Sequence, residues 1–283
     1  MKKLDFETIK FELKENGIGI ITLNRPEKLN AISFQMEEEL HECLDNLMIN
    51  LDCRVLIFKG EGRAFCAGTD LNEGIILNTK KTPEGYEKFY YLNTEPLKKK
   101  IYHQWRISQL YVKMRKISQP IIACIQGAAV GGGFGFAMAA DIRIASEDAK
   151  FINGSINIGL SGADVGGSYF LPRLIGQSRA TEILLTGRAV GGREAEKIGL
   201  VCKLAEKDKL LDSAIEMAKN LLTKSPLGLR MTKQAINLSL DSPSLENILQ
   251  FENSSIVVTL SSNDVKEASS AFFQKRNPKY PLR

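Results

Sequence analysis

Apolar and polar positions alternate through FETIKFELKENGIGIITL, residues 6 to 23, in two short segments either side of ENG, and this period of two around a turn triplet predicts a β-hairpin. NRPEKLNAISFQMEEELHECLDNLM opens with loop-forming residues and then places its apolar side chains at helical spacing, so an amphipathic helix follows. CRVLIFKG, residues 53 to 60, is a short β-branched run closed by glycine and reads as a buried strand. QPIIACIQG repeats that pattern, DIRIAS repeats it again, and helical segments separate them. Strands alternating with helices predict an α/β fold with crossover connections. Past about residue 205 the texture changes to helices without strands. The expected division is a core domain over residues 1–205 and a helical C-terminal region over 206–283.

Composition leaves this picture standing and removes several function classes. A chain of 283 residues, 43% hydrophobic and 25% charged, has ample apolar material for a core. Its formal charge of +5 comes from 38 basic against 33 acidic residues that are interspersed along the chain, too mild a bias for nucleic acid binding. The densest basic run, EPLKKKIYHQWR at 95 to 106, reads as a solvated helix face. Five cysteines, odd in number and without CxxC spacing, suggest buried thiols in a reducing, cytoplasmic compartment. With His41 and His103 as the two histidines and no CxxC pair to complete a ligand set, no metal site is expected. The N-terminus has no apolar signal core. Residues 120 to 140 form an uncharged stretch of membrane-spanning length, yet its leading proline and internal glycines read better as strand, turn and buried helix, so no membrane span is expected.

That stretch contains Gly131, Gly132 and Gly133 between a strand and an apolar helix. Amides at such a helix start are unpaired and favour negative charge. On these residues alone three readings stay open: an oxyanion or anion held by main-chain N–H groups, a phosphate, or glycines that serve close helix packing. The spacing does not meet GxGxxG, and no phosphate-loop lysine follows. A second stretch, GEGRAFCAGTDLNE at 60 to 73, again puts small residues and a glycine at a strand end, and two such turns can aim two amides at one carbonyl.

At this point the chain resembles the crotonase (enoyl-CoA hydratase/isomerase) superfamily. The motifs that carry the resemblance run in order through NRPEKLNAIS, RAFCAGTDL, QPIIACIQGAAVGGGFGFAMAADIRIASEDAKF, LPRLIG, LLTGRAVGGREAEKIGLV and AFFQKRNPKYP. The resemblance implies a spiral of ββα turns around an acyl-CoA site, and a helical C-terminal trimerisation region whose homotrimers often pair into hexamers. It also implies a thioester carbonyl polarised by two backbone amides, which carry over to Thr69 and Gly132 as an oxyanion hole. Coenzyme A enters as part of the substrate, with no separate cofactor. By the same resemblance Arg25 and Lys28 lie near its phosphates, and the backbones of Ala64, Cys66 and Ala67 meet its pantetheine or adenine. Lys275, beside Phe272, reaches a phosphate from a neighbouring subunit.

The chain also departs from the family pattern. The hydratases carry a glutamate three residues after the middle glycine, where this chain has Gly135, and a second one where it has Ser155. Water addition needs a general acid and base that Gly and Ser cannot supply, so simple hydration is not expected. Family members that isomerise dienoyl-CoA esters carry an aspartate in a stretch similar to ADVG, which puts Asp164 in the acid–base role. Its alternative reading is a loop carboxylate bonding local amides. Ser155 offers a hydroxyl at the lost glutamate's position. Asp70 and Asp141 read as braces of the turns. Glu73, Tyr86, Tyr90, His103 and Trp105 fall in or beside the variable segment that walls the acyl pocket, with Glu73 or His103 as reserve acids or bases. The expected activity is that of an isomerase or non-standard lyase on an acyl-CoA. A C–C bond hydrolase and a non-catalytic acyl-CoA binder are the alternatives.

Overall fold

A computed structural model describes residues 5–74, 87–89 and 93–280. The hairpin forms as β1 (Ile9–Leu13) and β2 (Ile18–Leu23), antiparallel, with Gly17 at φ 87° closing the turn. Parallel pairing then adds β3 (Val55–Gly60), β4 (Ile121–Ile125), β6 (Ile142–Ser146) and β9 (Lys203–Ala205), giving a six-stranded sheet in the order β1-β2-β3-β4-β6-β9. A three-stranded sheet, β5 (Ala128–Val130), β7 (Lys150–Ile152) and β8 (Ala189–Gly191), stands beside it.

The near-continuous apolar runs of β2, β3 and β4 follow from cover on both faces of a parallel sheet. Alternate residues point to opposite layers. Ile21, Leu56, Phe58, Ile121 and Ala123 join the larger cluster with α1 (Phe34–Ile49), α3 (Pro96–Lys116) and α4 (Gly132–Ala139). Ile18, Ile20, Val55, Ile57, Ile122 and Ile144 face Leu210, Ala214 and Ala218 of α8 (Leu210–Leu222). The helix α8 therefore belongs to the core layer, although it follows the change of texture at residue 205. The last strand does end there, but the part of the chain that stands clear of the sheet starts at α9 (Pro226–Asp241). Between these lie the short helix α2 (Leu71–Gly74) and, further on, α5 (Gly167–Ile175), α6 (Gln177–Thr186) and α7 (Gly192–Lys197). The chain closes with α10 (Leu245–Leu260) and α11 (Asn263–Phe273).

Residues 120 to 140 resolve into β4, β5 and α4, and among the described residues no helix is long and apolar enough to cross a membrane. The basic run at 95 to 106 opens α3, with one departure from a solvated face: Lys99 and His103 are buried. Four cysteines are buried and Cys202 is exposed. Burial holds the Cys53, Cys66 and Cys124 thiols up at about 12, which keeps them protonated and inert.

Candidate active site

Two glycine turns meet at the start of α4. Cys66 pairs across to β5, its amide donating to Ala128 and its carbonyl accepting from Val130. This pairing brings the strand end at residues 66–69 against the Gly131–Gly133 turn. Contact is so close that a methyl group on Gly133 would lie 2.2 Å from the Cys66 carbonyl oxygen, which only glycine at 133 avoids. A methyl group on Gly68 would lie 3.6 Å from the Gly132 nitrogen, so the turn that carries Thr69 sits on the first turn of the helix. Thr69 is also pinned from the other side, since the flanking Gly68 carbonyl and Asp70 amide pair with Ile32. Among the described residues neither the Thr69 nor the Gly132 N–H has a hydrogen-bond acceptor. Gly132 is at the first helical position, where an amide has no partner within the helix.

Asp70 and Arg25 hold this arrangement. Asp70 accepts from the Arg25 guanidinium at 3.0 Å and from the Asn72 amide at 3.1 Å, and the same guanidinium donates to the Ala31 carbonyl at 2.6 Å. In this geometry Arg25 ties two loops together, while Lys28 is exposed on a 3-10 turn nearby. The Ala64 carbonyl accepts from the side chains of Asn30 and Gln126, and the Ala67 amide donates to Leu29. Cys66 is fully buried with its main chain committed to β5, and Ala67 is half-buried at the rim.

Ser155, in the 3-10 turn after β7, and Asp164, nine residues further along, come together. The Ser155 hydroxyl donates to Asp164 Oδ2 at 2.9 Å, while Asp164 Oδ1 accepts from Gln104 of α3 at 2.8 Å and from the Val165 amide at 2.8 Å. Val165 is held at φ 49°, a conformation that a β-branched residue adopts only under constraint, and strain of this kind beside a carboxylate marks a geometry fixed by its surroundings. Both readings of Asp164 are thus present in one group: it bonds a local amide, and it also reaches across to a serine and a glutamine on other elements.

The position of the first lost glutamate is closed. A methyl group on Gly135 would meet Tyr111 of α3, 2.6 Å from Cζ and 2.9 Å from Oη. Tyr111 is buried, its ring packs edge-on against Phe136 with centroids 5.4 Å apart, and its hydroxyl donates to the Gly132 carbonyl at 3.3 Å. Burial, with the negative charge of Asp164 and Glu37 nearby, pushes its pKa well above the usual tyrosine range, so the phenol stays neutral. A cavity of about 760 Å³ opens along Tyr111 between α3, α5 and α9, lined also by Arg115, Gly166, Tyr169, Phe170 and Asn237.

The reserve candidates have other duties. Glu73 accepts from the Phe34 amide at 2.7 Å and so caps α1. His103 lies 3.1 Å from the buried carboxylate of Glu37 and edge-on to Phe34. Trp105 is exposed. Phe272 and Lys275 lie at the end of α11, with the Phe272 ring exposed and stacked edge-on against Phe273. Tyr86 and Tyr90 fall outside the described residues. Among the described residues no cluster of three or more His, Cys, Asp or Glu side chains forms a metal-binding group. The sequence alone does not single out Tyr111, Gln104 or Asn153. Asn153, fully buried, donates to the Gly162 carbonyl at 2.8 Å and ties down the loop that leads to Asp164. Their roles arise from packing between distant elements, and no local motif signals it.

Fold and site together define an α/β protein with two unpaired main-chain donors at one glycine-lined junction. The chain belongs to the enoyl-CoA hydratase/isomerase family of the crotonase superfamily, whose family model matches residues 13–282. It is 36% identical to a probable enoyl-CoA hydratase of Mycobacterium leprae over 92% of this chain and 85% of that one. It is 34% identical to the 1,2-epoxyphenylacetyl-CoA isomerase of Escherichia coli over 94% of this chain and 95% of that one. Among solved structures, a probable enoyl-CoA hydratase/isomerase from Mycobacterium abscessus superposes with TM-score 0.85 at 32% identity, covering 98% of this chain and 100% of the other.

Proposed function

We propose that the chain is an acyl-CoA isomerase or related lyase, in which the Thr69 and Gly132 amides hold the thioester oxygen and Asp164 moves the proton. The observation that carries this reading is the Asp164–Ser155 contact at 2.9 Å together with a position 135 that has no room for a second acid. Asp164 as carboxylate removes a proton from a carbon conjugated with the thioester. The C–H electron pair enters a new double bond, and the carbonyl pair moves onto oxygen, where two N–H donors stabilise the enolate. The same proton returned at another carbon leaves the double bond shifted, with nothing oxidised or reduced. Ser155 and Gln104 orient the carboxylate. The cavity along Tyr111 is lined by Gly166, two residues after Asp164, but not by Asp164, Ser155, Thr69 or Gly132 themselves, so it serves only the far end of the acyl chain, beyond the reacting carbons. Relatives include both a hydratase and an isomerase by name. Hydration needs paired acid and base at the double bond, and the isomerase reading asks for one.

At the coenzyme end, Lys28 serves the phosphates from its exposed turn, and Lys275 serves those of a neighbouring subunit. The copies associate as homotrimers through the C-terminal helices. The test offers crotonyl-CoA, a dienoyl-CoA and a cyclic diketone-CoA to the wild type and to Asp164→Asn, following absorbance. The expected outcome is turnover of the dienoyl ester, lowered about 10²- to 10⁴-fold in the variant. Cleavage of the diketone instead identifies a C–C hydrolase. Tight binding of all three without turnover identifies a binder.

A further inference from the structure

We propose that Tyr111 determines the reaction type at this site: its ring takes the volume any side chain at residue 135 would need, and its hydroxyl puts a neutral hydrogen-bond donor there. The steric half of this proposal stands on the geometry of two helices. Position 135 lies on the buried face of α4, and all eight residues of that helix are buried. The ring of Tyr111 lies so near that even a methyl group at 135 would overlap it at 2.6, 2.7 and 2.9 Å. The ring packs edge-on against Phe136 and its hydroxyl is bonded to the Gly132 carbonyl, so relieving the overlap means disturbing both contacts. A carboxylate at 135 therefore requires Tyr111 to leave its position.

The chemical half concerns where the hydroxyl stands. Its bond to the Gly132 carbonyl is long at 3.3 Å, and Gly132 also bears one of the two unpaired amides. A weakly held donor next to that amide can turn to an oxygen of a bound acyl group without leaving a strong bond behind. Gln104, which holds Asp164, lies seven residues before Tyr111 on the same face of α3, about 10.5 Å along the helix axis. Gln104 and Tyr111 thus stand two turns apart on one face of α3, with Ile107 between them against the Gly132 turn. Asp164 carries the mobile proton. Tyr111, kept neutral by burial, offers a hydrogen bond and does not give up its proton.

This inference rests on the proposed function only for its kinetic readout, so two measurements separate them. The first is a stability cycle that needs no substrate. Ala is a better helix former than Gly, so Gly135→Ala stabilises α4 unless it strikes the ring. In the wild-type background Gly135→Ala is expected to lower the melting temperature by about 4 °C or more. In a Tyr111→Ala background the same change is expected to raise it. Equal shifts in both backgrounds overturn the steric claim. The second is Tyr111→Phe, which keeps the ring and removes the hydroxyl. Turnover is expected to fall about 10- to 100-fold, with KM within about threefold and the melting temperature unchanged. An unchanged kcat overturns the donor role. If the wild type turns over none of the acyl-CoA panel, the proposed function fails, while the stability cycle still decides the steric claim.

Discussion

Burial sets the protonation of His41 against the ordinary behaviour of an imidazole. The ring is buried under α3 with its Nε2–H donating to the Arg106 carbonyl at 3.0 Å. Desolvation first, then the charges of Arg106 and Lys113, bring its pKa from 6.5 down to about 4. Above pH 6.5 the folded and unfolded chains both hold this histidine neutral, and it contributes no slope. Between 6.5 and about 4 the unfolded chain takes up a proton that the folded one refuses, so stability is lost as the pH falls through that window. Glu37 works in the other direction, since burial raises its carboxyl pKa and stability is lost as the pH rises above 4.5. His41→Gln isolates the first effect. From pH 7 to pH 5 the urea midpoint should fall less, or rise more, in the variant than in the wild type, and an equal change removes His41 from the account. At this scale the sequence singles out Asp164, Ser155, Thr69 and Gly132 because they sit in motifs or at marked departures from them, and the structure brings Asp164 to Ser155 and the Thr69 turn to Gly132. Tyr111 is not singled out, because an aromatic residue in a helix looks the same whether it fills a core or closes a site.

Element by element, hydrophobic spacing foretold the hairpin, the buried strands and the helix after the three glycines, because each signal lies within one segment. It misplaced α8, whose amphipathic pattern cannot say which sheet face it covers. It also left α9 without an anchor, which proves to be Asp141. That carboxylate lies 2.8 Å from the Lys233 ammonium of α9 and 3.0 Å from the Arg115 guanidinium of α3, and it accepts from the Ile121 amide at 2.8 Å. The brace expected at Asp141 therefore joins two helices to the start of β4. Lys233 is the buried residue of α9, and it also donates to the Met114 and Gln119 carbonyls. Asp141→Ala leaves two cations facing a buried space, at a cost of about 3 kcal/mol in urea unfolding. Lys233→Met keeps the apolar stem and leaves Asp141 its Arg115 partner, so this change alone should lie much nearer to neutral. Adding Lys233→Met to Asp141→Ala should restore part of the loss. If the double variant is as unstable as the sum of the two singles, the ion pair is not what anchors α9.

On the scale of the whole molecule, the helices beyond the core present more apolar surface than they bury. Ser255 is the buried residue of α10, while Leu245, Leu249, Ile256, Val257, Val258 and Leu260 are exposed, and Phe272 and Phe273 project from the end of α11. An apolar helix with this little burial gains too little from packing to hold its position, so a covering surface is needed. A helical trimerisation region, expected from the family resemblance, would meet that need with a second and third copy of the same chain. By the same resemblance, such copies are expected to bring Lys275, with its exposed neighbour Phe272, towards the coenzyme end of a neighbouring site. Light scattering after size exclusion should therefore give the mass of three 31.4 kDa chains, or of six. Val257→Glu with Leu260→Glu places charges in the apolar stretch of α10, and should shift the mass towards one chain while the sheet core stays folded. A wild type that runs as a monomer at micromolar concentration, with α10 still helical, would show that these side chains tolerate water and that the site works without a neighbour.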